Sequence, residues 1–339
     1  MPKILVLALA VAAIAACDDS DPAGPGTEAG TLTVDASQGW AYVAFDDGEA
    51  TEVSVSDPST SSEWDIAFNA TRVMLNGGAA GPGDVLGYCV CQNAGATNTQ
   101  VMAMTASSEL ADFEQVTDPN PPQDAVWTTE EFVAALDGWY AYNPVTHVVS
   151  PAPNNVFAVR TASGDAFAKL RVIDISGATQ AHAGTVTIEY AYQPAAGEAF
   201  LATDTVELNA SASERLNLAT GVVSTSGDWD LALDGWDIRL NGGVSGSGSA
   251  GAYLTGDAFD DVVDAGQAPS GAFSTDSYAG VFGDHPWYRY NLDGQHSIFP
   301  TFEVYLIDTG AAVYKVQLTG YYSTTGDPRR ITFRYEQLD

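Results

Sequence analysis

Basic residues are scarce in this 339-residue chain: 12 Lys and Arg stand against 44 Asp and Glu, giving a formal net charge of −32. That scarcity excludes direct nucleic-acid binding, because phosphate affinity is carried by Lys and Arg contacts. It also argues against adsorption to anionic lipid. Histidine and methionine number four each and cysteine three, so metal or cofactor ligation has few side chains to draw on. No G-x-S-x-G, H-E-x-x-H or C-x-x-C occurs, and no Asp-rich loop has EF-hand spacing. The Gly-rich stretches do not open a helix behind a parallel strand, so a phosphate cradle is not supported. Nothing selects a glycosidase-like pair among the 44 carboxylates. The acids are dispersed among apolar residues, which make up 45% of the chain. This is a solubility pattern and not a disorder pattern.

One long apolar run is present, at the start. Residues 1–16, MPKILVLALAVAAIAA, place Lys3 before about a dozen apolar residues and end in small residues ahead of Cys17. The run is too short to span a bilayer and reads as a signal peptide. Small residues directly before a cysteine are similar to a bacterial lipoprotein signal, with Cys17 as the lipid-attachment residue. Residues 17–30 are acidic and rich in Pro and Gly, and read as a flexible tether. The remaining cysteines form Cys89-Val90-Cys91. The readings open to them are two buried thiols, a local disulfide, or a metal site that lacks evident further ligands.

The mature chain repeats itself. Trp64-Asp65-Ile66 and Leu75-Asn76-Gly77-Gly78 recur at the same spacing as Trp229-Asp230-Leu231 and Leu240-Asn241-Gly242-Gly243. Trp139-Tyr140-Ala141-Tyr142-Asn143 recurs as Trp287-Tyr288-Arg289-Tyr290-Asn291, followed by His147 and His296 respectively. A strand around 156–161 recurs at 304–309, a strand containing Lys169 recurs with Lys315, and an alternating strand at 185–190 recurs at 330–335. Five ordered anchors define a duplication, with domains at 31–194 and 195–339 and a linker at Pro194-Ala195-Ala196-Gly197. Period-two alternation and frequent Gly, Asn, Asp and Pro predict antiparallel sheets. A helix is predicted over Thr128–Leu136, with a weaker one over Ser274–Val281. The expected fold class is all-β with minor helix: two tandem antiparallel β-sandwich-like domains. The Asn-Gly-Gly turns are expected to need positive φ. The recurring Trp64, Trp229, Trp139 and Trp287 read as core, whereas Trp40 and Trp236 do not recur and are freer for function.

Together these anchors resemble the HmuY family over nearly the whole mature chain, once per copy. The resemblance implies a lipid-anchored, outer-membrane or surface protein of a Gram-negative-type bacterium. Such a protein sequesters haem without catalysis and passes it to a TonB-dependent outer-membrane receptor. It further implies two axial ligands to iron, histidines or methionines. His147 and His182 lie 35 residues apart in copy one on loops able to pinch a flat cofactor; bis-histidine ligation suits storage over oxygen chemistry. Fe–N bonds near 2 Å put the two axial nitrogens about 4 Å apart. In copy two His296 pairs on paper only with His285, and Asp327 stands where copy one has His182. Met102 and Met104 are the other candidate ligands. The alternative is a surface module for protein or glycan contact that keeps the fold without the cofactor. Arg160, Lys169 and Arg171 form the single basic cluster of copy one, and a positive patch beside His147 would favour haem, whose propionates need one.

Overall fold

The computed structural model describes residues 29–339 except 123 and 270. The signal peptide, Cys17 and nearly all of the tether lie outside the described residues. In chain order the first repeat forms β1 (Gly30–Asp35), β2 (Ala41–Asp46), β3 (Glu49–Val53), β4 (Ile66–Asn69), β5 (Arg72–Leu75) and β6 (Leu86–Cys89). Helices α1 (Asn98–Ala103) and α2 (Leu110–Glu114) follow. The repeat ends with β7 (Glu131–Val133), β8 (Tyr140–Asn143), β9 (Val148–Pro151), β10 (Phe157–Arg160), β11 (Phe167–Ser176) and β12 (Thr185–Gln193). The second repeat follows the same order. It opens with β13 (Asp204–Asn209), β14 (Arg215–Asn217), β15 (Val222–Ser224), β16 (Leu231–Asp234), β17 (Asp237–Leu240) and β18 (Gly251–Leu254). It closes with β19 (Ser277–Ala279), helix α3 (Val281–Asp284), β20 (Tyr288–Tyr290), β21 (Ile298–Pro300), β22 (Val304–Asp308), β23 (Val313–Tyr322) and β24 (Pro328–Leu338). The chain is nearly all β, as the alternation of residues such as 185–193 requires, whose even positions are buried through Tyr190.

Hydrogen bonding does not follow the repeat boundary. One five-stranded sheet runs β1-β24-β23-β22-β6 and the other β13-β12-β11-β10-β18. The closing strands of each repeat therefore sit between the opening strands of the other. Each five-stranded sheet packs on a four-stranded one, β3-β2-β4-β5 or β15-β14-β16-β17. The cores divide the same way. One joins Ile66, Phe68 and Leu75 to Trp287, Tyr305 and Phe333. The other joins Trp139, Phe157 and Ile188 to Leu216, Leu231 and Leu240. Lobe one is thus built from residues 30–130 and 281–339, and lobe two from 134–276. The division at 194/195 marks the sequence repeat, but Pro194–Gly197 is a connection inside one sheet, joining β12 to its antiparallel neighbour β13. A short link between antiparallel strands is the economical topology.

The lobes meet where β7 pairs with β19, Phe132 opposite Tyr278. This corrects both helix expectations: Thr128–Leu136 forms a bridge at Thr128 and then β7, and residues 277–279 of the weaker segment form β19. Tertiary bonds override local propensity. The Glu130 carboxylate accepts from Leu75 N at 3.0 Å, and the Glu130 carbonyl accepts from Ala79 N at 2.8 Å. In the other copy the Asp276 carboxylate accepts from Leu240 N at 2.8 Å and from Ala135 N at 2.9 Å, and its carbonyl from Val244 N at 3.1 Å. The Asn-Gly-Gly anchors exist for this crossing. A Cβ on Gly78 would meet the Glu130 carbonyl at 2.2 Å and one on Gly243 the Asp276 carbonyl at 2.0 Å, and both glycines have positive φ. Asn76 donates to Trp64 O at 2.6 Å and accepts from Gly83 N at 3.1 Å, and Asn241 does the same with Trp229 O and Gly248 N.

The repeated lysines are structural as well. Lys315 is buried over Phe113 and donates to Val116 O at 3.0 Å; Lys169 lies over Phe259 and donates to its carbonyl at 2.7 Å and to Val262 O at 3.0 Å. Each lysine therefore holds a loop contributed by the other repeat.

Two outcomes are expected. Residues 131–279 contain every strand of lobe two and should melt cooperatively when expressed alone; an unfolded fragment by circular dichroism would contradict the lobe assignment. Burial pushes the Glu130 carboxyl up from 4.5 to about 7. Between those values the folded chain keeps a proton that the unfolded chain has released. Stability therefore falls by roughly 1.4 kcal/mol per pH unit, about 3 kcal/mol in all. Glu130→Gln should reduce the drop in urea midpoint between pH 5 and pH 8. Asp65 and Asp276 are raised by burial too and contribute in the same direction, stability being lost as pH rises above the ordinary carboxylate range. An unchanged drop would rule out this origin.

Candidate functional site

The β8–β9 hairpin carries the first candidate ligand. Asn143 Oδ1 accepts from Val145 N at 2.9 Å and Thr146 N at 3.2 Å, which closes the turn, and His147 N donates to Asn143 O at 2.8 Å. His147 adopts φ 56°, and its Nδ1 is 2.6 Å from the Tyr142 hydroxyl. The β20–β21 hairpin repeats the device: His296 has φ 62° and its Nδ1 lies 2.5 Å from the Tyr290 hydroxyl. The repeated Tyr-Asn-His pattern is therefore a turn staple in both copies, and it presents the imidazole at an exposed tip.

Among the described residues, the first hairpin faces a large groove. Tyr140, Tyr142, His147 and Val149 line a cavity of about 730 Å³ together with Thr179, Gln180 and Trp236. That volume lies within the usual range for small-molecule sites. Trp236 supplies the floor: its ring is 5.1 Å from that of Tyr140 and 6.5 Å from that of Trp139, and its Nε1 donates to Gln180 O at 3.2 Å. The groove thus combines residues 140–149 and 178–180 of repeat one with Trp236 of repeat two. A half-buried aromatic floor and an imidazole at the rim can hold a flat apolar ligand by stacking and offer it one metal-ligating nitrogen.

His182 sits on the same loop as Gln180 but is not part of the groove lining. Its Nδ1 accepts from Gly184 N at 3.1 Å, and its Nε2 is 3.3 Å from Ser211 Oγ. Because Nδ1 accepts, the neutral ring carries its proton on Nε2 and donates it to Ser211. These bonds hold His182 outside the lining of the groove.

The equivalent region of lobe one is filled. Tyr322 stands in register where copy one has Ser176, and its hydroxyl accepts from Ile298 N at 3.1 Å. Tyr321 packs on the lobe-one core 6.4 Å from Trp287, whose Nε1 donates to Thr71 O. Among the described residues, His296 stands at a hairpin tip beside the packed Tyr321 and Tyr322, and His285 lies elsewhere, beside Cys89 and Cys91. Met102 lies on α1 and Met104 caps it; Arg289 on β20 donates to Asn98 of that helix at 2.9 Å. The methionines thus belong to lobe one, away from the groove that His147 lines in lobe two. Met102 is exposed and Met104 half-buried. Cys89 and Cys91 form a local disulfide, one of the readings left open above.

Of the residues set apart because they do not recur, Trp236 lines the groove, and Trp40 lines a smaller cavity of about 200 Å³ under the Arg72 guanidinium. Trp64, Trp139 and Trp287 are buried core, and Trp229 is half-buried beneath Arg215. Tyr140 and Tyr142 line the groove too, though their recurrence in copy two marked them only as fold residues. The basic cluster of copy one is spent on structure. Arg171 pairs with Glu189 at 2.6 Å, Arg160 donates to Ser249 O at 2.8 Å, and none of the groove-lining residues is Lys or Arg.

These features define an all-β, groove-bearing protein built from a duplicated unit. The family model described as HmuY protein matches residues 36–190, somewhat under half of the chain, and the resemblance seen in the sequence is borne out there. That segment runs through both lobes and supplies two of the three elements around the groove. Among solved structures, the chain is similar to a protein assigned as a lipoprotein from Bacteroides fragilis, at 11% identity and a TM-score of 0.33, covering 92% of each chain. It is also similar to a protein described as HmuY-like and haem-binding from Bacteroides vulgatus, at 12% identity and a TM-score of 0.29, covering 92% of this chain and 93% of that one. An apo HmuY analog from Tannerella forsythia aligns at 12% identity and a TM-score of 0.16, covering 64% of this chain and all of the other. No curated protein matches the chain. No helix among the described residues is long and apolar enough to cross a membrane.

Trp236→Ala removes both the floor and the bond that holds Gln180. Hydrogen–deuterium exchange over residues 177–184 should rise, while exchange over 320–327 stays unchanged. Equal protection of 177–184 in variant and parent would show that Trp236 does not anchor the loop.

Proposed function

We propose that the chain binds haem, or a closely related flat tetrapyrrole, in the lobe-two groove, with His147 as an axial ligand. The observation that carries this reading is the coincidence of the HmuY match with a roomy aromatic groove that has an imidazole at its rim. His147 Nε2 becomes the ligating atom when Nδ1–H donates to the Tyr142 hydroxyl, an arrangement that fixes the tautomer and strengthens the ligand. His182 is the candidate for the opposite face; to ligate through Nε2 it would have to carry its proton on Nδ1 and give up its present bonds to Gly184 and Ser211. Neither step is catalytic: the groove binds, shields and releases. An outer-membrane lipoprotein anchored through Cys17 would hold the site outside the cell or in the periplasm and pass haem to a TonB-dependent receptor.

One observation favours the alternative, a contact module for protein or glycan. The groove lacks a Lys or Arg for the haem propionates, so on the haem reading these carboxylates point to solvent. Aromatic floors of this kind also stack on sugar rings.

Haemin titration of residues 18–339 separates the two. The haem reading expects a sharpened Soret band saturating at one equivalent per chain, since the lobe-one counterpart of the groove is filled. It expects His147→Ala to weaken binding at least tenfold and His182→Ala to change the ligation spectrum. Absence of a Soret change at stoichiometric haemin would leave the contact module as the reading.

A further inference from the structure

The C-x-C turn after β6 differs in chemistry from its counterpart in the other repeat. Register with β22 and β10 sets Cys89 against Leu254 of the other copy. Val90 N donates to Val304 O just as Thr255 N donates to Val156 O, both at 2.9 Å, so Cys91 is the counterpart of Gly256. Gly256 has φ 77°, and Cys91 keeps the left-handed conformation at φ 56°. A non-glycine residue in that conformation costs about 1 kcal/mol or more. Lobe one therefore holds a cysteine where the duplicate, in the same backbone conformation, has the residue that adopts it freely.

A histidine has gathered there too. Trp287 aligns with Trp139, which makes Asp137 the counterpart of His285. The two cysteine sulfurs and a ring nitrogen of His285 all lie within 4.8 Å of one another. His285 is fixed by its backbone: its N–H donates to Val281 O at 2.9 Å and its carbonyl accepts from the Tyr305 hydroxyl at 2.7 Å. Cys89 is held in β6 opposite Tyr305. The cluster opens into a pocket of about 240 Å³ that Cys91 and His285 share with Asp284 and Glu303. Glu303 Oε2 accepts from Asn93 N at 2.9 Å, two residues beyond Cys91.

We propose that Cys89, Cys91 and His285 form a redox-gated site for a soft or borderline d¹⁰ cation, Zn²⁺ or Cu⁺. In the disulfide state the sulfurs are bonded to each other and the site is closed. A dithiol or phosphine reductant supplies two electrons, and with two protons the disulfide becomes two thiols. The cation then displaces both thiol protons and takes two thiolates and one imidazole. Ligand atoms in a tetrahedral zinc site sit about 3.5–4 Å apart, so on reduction the two sulfurs part from their mutual bond while staying near the His285 nitrogen, within reach of one ion. Thiolate and imidazole donors select these ions over Ca²⁺ or Mg²⁺. The Glu303 side of the pocket leaves the fourth position for water or carboxylate. The site lies in lobe one and is independent of the haem reading.

The test titrates residues 18–339, disulfide-bonded or reduced with a phosphine that is then removed, with Zn²⁺ and, under anaerobic conditions, with Cu⁺. A chromogenic chelator competes for the ion. One tight equivalent of either ion is expected in the reduced chain and none in the oxidised chain. His285→Ala should weaken binding at least tenfold, and Ca²⁺ in excess should not compete. Comparing the two redox states of the parent chain needs no variant to fold, and circular dichroism checks that the reduced chain keeps its sheets. Equal binding by oxidised and reduced chains, binding untouched by His285→Ala, or no tight equivalent of either ion would each overturn the proposal.

Discussion

The architecture depends on two segments that cross between the lobes with their backbones almost touching glycine. The Glu130 and Asp276 carbonyls lie where a Cβ of Gly78 or Gly243 would be. Beside them the two buried carboxylates accept the amides of Leu75 and Leu240. An unpaired buried amide or carboxylate is expensive, so these bonds leave each crossing segment one path. That path carries the chain from the opening half of one repeat into the lobe that its closing half shares with the other repeat. The lysines repeat the logic at a distance, since each fastens a loop of the opposite repeat.

Much of the fold was legible in the sequence, and the way it fails is instructive. Alternation read from Thr185 to Tyr190 and from Arg330 to Tyr335 corresponds to β12 and β24, and Trp64, Trp139 and Trp287 are core. The helix expected at Thr128–Leu136 rested on capping and dipole arguments that are local. Glu130 is drawn instead into a tertiary bond with Leu75, and β7 pairs with a segment far away in sequence. The exchange of closing strands was not legible, because each strand of one repeat has a counterpart of the same pattern in the other. Self-closure and exchange satisfy the same local rules; the short β12–β13 link and the crossing glycines favour exchange.

The site was legible by halves for the same reason. His147 was visible as a scarce ligand type, and Trp236 as an aromatic that does not recur, but nothing in the sequence places residues 89 apart around one groove. Recurrence hid Tyr140 and Tyr142, which serve the hairpin in both copies and the groove in one. Tyr321 and Tyr322 explain the asymmetry: bulky rings close in lobe one the space that lobe two leaves open. The duplication has thus kept one scaffold and separated its chemistry, with an aromatic groove in lobe two and a sulfur–imidazole cluster in lobe one.

On the reading proposed above, ligand binds in a groove assembled from both repeats within lobe two. Hydrogen–deuterium exchange of the intact chain with and without haemin addresses it most directly. The account predicts new protection at residues 140–149, 177–184 and around Trp236, with residues 288–300 and 320–327 unaffected. Protection centred on the lobe-one hairpin, or none at any of these segments, would contradict it.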